Sequence, residues 1–154
     1  EKADLVLDTS HTSPNELRLK LRSIFPLENN RSIQIMLQSF SFRSGSLTGL
    51  DMVFDCRFLK NPNWVSGLKD LNGIDDEVKE YLRKDKSWAS FKKNVLQMLS
   101  TVIPAFEREG KSYLSIGLGC TGGQHRSVFV AEQLHKNLLH MKHDVRILHT
   151  SLQK

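Results

Sequence analysis

Hydrophobic and polar positions follow regular periods through the second half of the chain. Apolar side chains recur at helical spacing across residues 90–107, which predicts an amphipathic helix, and a similar pattern predicts a helix from 127 to about 141. Short runs rich in β-formers at 52–58, 113–118 and 144–149 predict strands. Strands that alternate with helices predict an α/β fold with a mostly parallel sheet flanked by helices.

The first half of the chain is less regular, but cap and turn residues mark its elements. Residues 3–10 predict a short buried strand. Ser13 and Glu16 have the spacing of a capping box, and Pro14 suits the first position of a helix. These three residues therefore predict a helix start.

Residues 26–31 combine proline, two asparagines and mixed charge, which predicts a linker. The run after it, residues 33–40, alternates loosely and predicts another strand. We therefore predict two parts in the chain. Residues 1–28 form a short tail or linker, and residues 29–154 form the main domain.

Composition and charge narrow the classes of function. Of 154 residues, 39% are hydrophobic and 25% are charged, as in ordinary globular domains, and no apolar run reaches the roughly 18–20 residues that span a bilayer. The net charge of +5 permits nucleic-acid binding, although a solvated basic surface gives the same value. The two cysteines form neither a disulfide framework nor a zinc pattern, so we expect no metal and a cytoplasmic protein with reduced thiols.

The segment "IGLGCTGGQHRSVFVAEQL", residues 116–134, carries the candidate chemistry. A predicted strand leads through a glycine turn into a predicted helix, and the start of a helix offers unpaired N–H groups and a positive dipole end to an anion. Glycines let the backbone approach a phosphate closely, and arginine forks onto its oxygens. The candidate anion-binding residues are Cys120, Thr121, Gly122, Gly123, His125, Arg126 and Ser127.

The same turn permits other interpretations. It lacks the GxxxxGK[ST] spacing of a Walker loop, so it does not predict that kind of nucleotide hydrolysis. Cys120 and Arg126 have the C-x5-R spacing of cysteine-dependent phosphatases, in which a thiolate attacks phosphorus. Cys120 also suits a small buried position at a strand end, and the whole turn suits a tight structural connection.

Four motifs follow one another along the chain: "LQSFSFRSG", "MVFDCRFLKNPNW", "LNGID" and "GCTGGQHRSVFVAEQL". Together they resemble, in order and spacing, the C-terminal domain of the RapZ family of bacterial RNase adapter proteins. The resemblance implies a fold similar to a phosphofructokinase subdomain. It also implies that residues 1–28 are the tail of an upstream nucleotide-binding domain, and that the main domain is non-catalytic, binds RNA and glucosamine-6-phosphate, and forms homo-oligomers.

The resemblance also implies roles for single residues. It adds Arg43, Asp55 and Arg57 to the ligand site. It also adds Asn63, in "NPNW", where the family often has histidine. Asp55 and Arg57 would alternate on one face at the carboxyl end of a strand, where open α/β sheets bind ligands, or form an ion pair that closes the strand. The RNA-binding residues would be Arg43, Lys60, Lys69, Arg126 and Arg146.

Three functions stay open on the sequence. The first is an adapter that presents small regulatory RNA to an RNase E-like ribonuclease under control of the sugar phosphate, and so regulates amino-sugar synthesis. The second is a metabolite-sensing module that acts on a protein partner such as a signalling kinase. The third is a cysteine-dependent phosphatase. RNA binding would depend on salt, because it releases counterions from phosphates, whereas a phosphatase would turn over simple phosphoesters.

Overall fold

The computed structural model describes residues 5–25, 32–45 and 47–152. The chain divides into two compact units, residues 1–31 and residues 32–154. The predicted linker at 26–31 lies outside the described residues. The assignment of the first part to an upstream domain stays a prediction.

In the first unit, helix α1 spans Pro14–Ile24 and begins with the predicted capping box. The backbone N–H of Ser13 donates to Glu16 Oε2 at 2.8 Å, and the backbone N–H of Glu16 donates to Ser13 Oγ at 3.3 Å. The predicted strand at 3–10 is wrong for its described part, since residues 5–10 are irregular. Strands need a hydrogen-bonded neighbour, and the described residues of this unit provide none.

The described part of the second unit has a parallel sheet of four strands and three α-helices. The strands are β1 (Gln34–Ser41), β2 (Met52–Asp55), β3 (Tyr113–Cys120) and β4 (Asp144–His149), in the spatial order β2-β3-β1-β4. The helices are α2 (Asp76–Arg83), α3 (Lys86–Arg108) and α4 (Arg126–His140). All strand pairs are parallel, which confirms the predicted α/β class.

The core of this unit lies between the sheet and its helices. Alternate side chains of β3 (Leu114, Ile116 and Leu118) are fully buried. On the helix side, the ring of Trp88 in α3 lies 4.7 Å from the ring of Phe129 in α4. This packing fixes the start of α4, which is the helix that follows the glycine turn. None of the helices in the described part of the chain is long and apolar enough to cross a membrane.

The predicted strand at 52–58 is wrong in its second half, because β2 ends at Asp55. Oδ1 of Asp55 accepts the N–H of Arg57 at 2.9 Å, and Cys56–Phe58 forms a 3₁₀ turn. An aspartate that bonds the backbone two residues ahead competes with strand pairing. Asp55 and Arg57 therefore do not alternate along a strand face.

The carboxyl ends of the parallel strands meet along one edge of the sheet. The register pairs Ser41 with Cys120 and Asp55 with Gly119, so β1, β2 and β3 end side by side. We call this the carboxyl edge and define it by the segments 41–45, 55–59, 120–125 and 149–151. Open parallel sheets bind ligands at such an edge.

Candidate anion-binding site at the carboxyl edge

Helix α4 begins at the carboxyl edge without a side-chain cap. His125 is its N-cap residue, and the His125 ring makes no capping hydrogen bond. No side-chain cap therefore occupies the N–H groups of the first helical turn, and the helix dipole adds partial positive charge there. The sequence-based expectation of a helix start at the glycine turn is confirmed to within one residue.

The two glycines of the turn have different roles. Gly123 is buried and has a φ of +69°, and a Cβ on it would overlap the side chain of Ser151 and lie 2.9 Å from the backbone N of Ser41. Gly122 is exposed, and a Cβ on it would meet nothing within 4 Å. Gly123 thus fixes the turn, and Gly122 leaves an open approach to the backbone.

Arg126 is buried and ties two segments of the carboxyl edge together. Its Nη1 donates to the carbonyls of Arg57 at 3.0 Å and Leu59 at 3.2 Å, and its Nη2 donates to Thr121 Oγ1 at 3.2 Å. Three of the five guanidinium N–H groups are thereby used. The other two have no hydrogen-bond partner among the described residues, so Arg126 is a brace that keeps donor capacity at this edge.

Asp55 and Arg57 form the expected ion pair, with Arg57 Nη2 2.6 Å from Asp55 Oδ2. The hydrogen bond from the Arg57 side chain is the main reason that the pKa of the Asp55 carboxyl is lowered, and the charge of Arg126 adds to it. The guanidinium also stacks on Phe42, 4.6 Å from the ring centroid. Side chains of both partners are about half exposed, so the pair offers both charges to solvent at this edge.

Arg43 lies directly after β1, in a 3₁₀ turn over Phe42–Ser44, and its side chain is exposed. Ser41 supports this turn. Its Oγ accepts the N–H of Arg43 at 3.1 Å and donates to the carbonyl of Thr121 at 2.8 Å. Ser41 is not among the residues that the sequence predicts for the site. The structure makes it the link between the Arg43 turn and the glycine turn.

His125 and Gln124 attach the glycine turn to residues 68–73. The Nε2 atom of His125 lies 3.0 Å from the carbonyl of Leu68, and it must carry the proton because a carbonyl only accepts. Gln124 Nε2 donates to Leu71 O at 2.7 Å. A Cβ on Gly73 would overlap the backbone of the first turn of α4, so only glycine permits this contact. The motif "LNGID" therefore supports the site, and Gln124 was not among the predicted residues.

Two predicted residues turn away from the site. Cys120 is 2% exposed and belongs to the core, and its Sγ lies 3.1 Å from Oγ of the fully buried Ser127. Cys120 shares a face of β3 with Leu118, which is fully buried. This is the small buried position at a strand end that the sequence left open, and the place of both residues in the ligand site stays a prediction. The thiol is also poorly placed for attack on a phosphate.

The remaining predicted residues are spread around the edge. Asn63 is half-buried in the 3₁₀ turn Pro62–Trp64, while Lys60 and Lys69 are exposed on either side of that turn. Arg146 pairs with Met36 in the middle of β4, so the structure does not bring it to the carboxyl edge. Of the predicted RNA-binding set, Arg146 is thus separate from the others.

A cleft lies beside the exposed glycine, between the ends of β1 and β4. It has a volume of about 370 Å³, within the range that holds small metabolites. Much of its lining is hydroxyl-bearing or glycine backbone: Ser41, Ser44, Gly45, Gly122, Thr150 and Ser151. The carboxyl edge therefore combines charged groups near β2 with a polar cleft near β1 and β4.

Asp85 holds the segment that follows β2 and is absent from the predicted site. Its Oδ2 accepts the N–H of Lys60 at 2.9 Å, and its Oδ1 accepts the N–H of Ser87 at 2.9 Å, capping α3. Burial acts to raise the pKa of this carboxyl, but the two backbone hydrogen bonds and the charge of Lys60 outweigh burial and lower the pKa. One buried carboxylate thus joins the site segment to the longest helix.

We expect the unfolding free energy of Asp85→Asn to fall less than that of the wild type when the pH is lowered. A folded-state pKa below the unfolded value gives stability above the unfolded pKa of about 3.9, and this stability is lost as pH falls through the folded pKa. Urea unfolding at pH 7 and pH 3 measures the difference in unfolding free energy. Asp70→Asn is the control, because Asp70 is an exposed aspartate on the surface. An equal loss of unfolding free energy between pH 7 and pH 3 in the wild type and in Asp85→Asn would contradict a lowered pKa of Asp85.

Comparison with known proteins places these motifs in one family. A family model described as the RapZ C-terminal domain matches residues 33–153. Proteins named nucleotide-binding protein are similar: one from Dinoroseobacter shibae is 47% identical over 86% of this chain and 44% of its own length. One from Cereibacter sphaeroides is 43% identical over 99% of this chain and 51% of its own length. One from Aliivibrio fischeri is 40% identical over the whole chain and 54% of its own length. The chain spans about half the length of these curated relatives.

Proposed function

Because this chain belongs to the family of RapZ C-terminal domains, we propose that it is an RNA-binding adapter domain that senses an amino-sugar phosphate such as glucosamine-6-phosphate. In this role it presents small RNA to a ribonuclease and reports the supply of amino sugar. Nucleotide binding, which the relatives' names state, belongs under this proposal to the part of those proteins that the chain does not match.

The observation that carries the proposal is the convergence of cationic groups on an uncapped helix start. The first turn of α4, the unpaired N–H groups of Arg126 and the exposed guanidinium of Arg57 all lie at the carboxyl edge. Gly122 leaves the backbone open to a phosphate there. Each charge-assisted hydrogen bond contributes roughly 1.5–3 kcal/mol, so a few of them support micromolar binding.

The surroundings of this anion site suit an amino sugar. The half-exposed carboxylate of Asp55 accepts hydrogen bonds from an ammonium group or a hydroxyl. The cleft beside Gly122 provides the hydroxyls of Ser44 and Ser151 for the neutral part of a sugar. Phosphate, amine and hydroxyl groups of one small molecule thus have partners of matching chemistry along a single edge.

RNA binding uses the same charges. Arg43 and Arg57 are exposed beside the ligand site, and Lys60 and Lys69 continue the cationic surface along the following turns. Phosphates of RNA and of a sugar phosphate compete for such cations. Under this proposal the metabolite therefore releases RNA, which links ligand supply to the adapter role.

We expect glucosamine-6-phosphate to raise the melting temperature of the 154-residue chain. Ligand at about 100 times its Kd adds roughly 2.7 kcal/mol to the unfolding free energy when only the folded state binds. Differential scanning fluorimetry measures the shift, with glucosamine and inorganic phosphate as controls. A shift with inorganic phosphate alone as large as with the sugar phosphate would contradict amino-sugar recognition, and no shift would contradict the ligand site.

RNA binding is tested separately, by titration of a labelled single-stranded RNA at increasing salt. The proposal requires binding that weakens with salt and is reversed by glucosamine-6-phosphate. Ligand binding without RNA binding would favour the alternative of a metabolite sensor that acts on a protein partner such as a kinase. Turnover of a phosphoester that Cys120→Ser abolishes would favour the phosphatase alternative, which the burial of Cys120 disfavours.

A further inference from the structure

Trp64 is an exposed tryptophan in the turn beside the ligand site. Its side chain is 82% exposed, whereas the chain's other tryptophan, Trp88, is 4% exposed in the core. Burial of a large aromatic side chain is strongly favourable. A partner that covers this exposed indole would therefore gain favourable binding free energy.

The turn presents Trp64 on a firm support. Pro62 is buried at its start, and Val65 N–H donates to Pro62 O at 2.9 Å. Asn61 Oδ1 accepts the N–H of Asn63 at 3.3 Å. The Asp85 carboxylate fixes the segment immediately before it through Lys60 N–H. Because the backbone of the turn is held in place, only the side-chain torsions of Trp64 have to be ordered when a ligand stacks on the ring.

The charges around Trp64 favour an anionic partner. Lys60 lies before the turn and Lys69 after it, and both are exposed. Along the chain Trp64 follows the polar Asn63, and the half-buried Val65 separates it from the exposed Ser66. A protein hot spot is usually surrounded by further contacts that exclude water. A single exposed indole between two lysines instead matches the surfaces that hold single-stranded nucleic acids, where bases stack on aromatic rings and lysines meet phosphates.

We propose that Trp64 is a stacking platform for an unpaired base of single-stranded RNA, with Lys60 and Lys69 on the neighbouring phosphates. The inference rests on the RNA-binding part of the proposed function and names the residue that holds a base. A duplex buries its base faces, so the platform selects unpaired RNA over duplex RNA.

The test is a titration of the 154-residue chain with a ten-nucleotide oligouridylate and with a duplex RNA of equal length. We expect the oligouridylate to quench Trp64 emission, while buried Trp88 gives a constant background. Labelled-RNA anisotropy should show about tenfold weaker oligouridylate binding by Trp64→Ala, and near wild-type binding by Trp64→Phe. Tyr113→Ala is the matched control, because Tyr113 is 43% exposed at the opposite end of the strands.

The other outcomes distinguish failure of the stacking proposal from failure of the RNA-binding function. Oligouridylate binding of equal strength in the wild type and Trp64→Ala, without quenching, would refute the platform and leave the RNA adapter function standing. Equal affinity for the duplex would also refute it, because contacts to phosphates alone would explain binding. No RNA binding by the wild type at low salt would refute the RNA-binding function itself. Thermal unfolding of both Trp64 variants should match the wild type, because the indole is solvent-exposed.

Discussion

Arg126→Ala is expected to abolish the thermal response to glucosamine-6-phosphate and to lower the free energy of unfolding by about 3 kcal/mol. The substitution removes three hydrogen bonds from a buried cation and leaves the carbonyls of Arg57 and Leu59 without that donor. Loss of a partner from buried polar groups costs about 1–3 kcal/mol per group. Chemical denaturation measures the stability change, and scanning fluorimetry measures the ligand response.

Arg57→Ala separates the two roles of the site arginines, which are support of the fold and binding of the ligand. The Arg57 side chain is 53% exposed, and exposed ion pairs contribute only about 0–1 kcal/mol. We therefore expect Arg57→Ala to weaken ligand binding while the unfolding free energy stays near that of the wild type. If Arg126→Ala kept both full stability and the full ligand response, the buried guanidinium would be neither the brace nor the anion partner described here.

Gly123→Ala is expected to destabilise the protein by about 3 kcal/mol, whereas Gly122→Ala should leave its stability nearly unchanged. At Gly123 the left-handed backbone costs an alanine about 1 kcal/mol, and the overlap with Ser41 and Ser151 adds the cost of an overpacked site. At Gly122 a methyl group meets open space. Urea unfolding of the two variants measures this difference between adjacent positions.

The same pair of variants tests the approach of the ligand. A methyl group on Gly122 occupies the open side of the turn, so Gly122→Ala should bind glucosamine-6-phosphate more weakly than the wild type at equal stability. Full ligand affinity in Gly122→Ala would place the phosphate elsewhere on the carboxyl edge. Wild-type stability in Gly123→Ala would mean that the turn does not need its positive φ.

Sequence patterns predict most of the second unit because they reflect local periodicity. The burial period of α4 and the alternation of β1 are visible without any long-range information. Alternation within β3 also predicts that Cys120 faces the core, because Leu118, two positions earlier, faces the core. The C-x5-R spacing allows a catalytic thiol at Cys120, whereas the strand period favours the buried position.

Other parts of the site depend on contacts that one sequence does not reveal. His125 bonds to Leu68 across 57 residues of chain, and Asp85 bonds to Lys60 across 25. Such pairs follow from the order of strands and helices, which periodicity does not determine. The end of β2 is a different case, because a local hydrogen bond within Asp55–Arg57 ended a strand that its composition favours.

The strand order has a consequence for how this sheet assembles during synthesis. Every hydrogen-bonded strand pair includes β3 or β4, and the first residues of β1 and β4 pair although they are 110 residues apart. At about 5–20 residues per second, β1 leaves the ribosome several seconds before any partner strand exists. Helix α3 can form meanwhile from local contacts, whereas the sheet must await late-made segments, which is characteristic of slow folding. The strand β1, one of the two central strands of the finished sheet, is thus the strand that stays unpaired longest in the nascent chain.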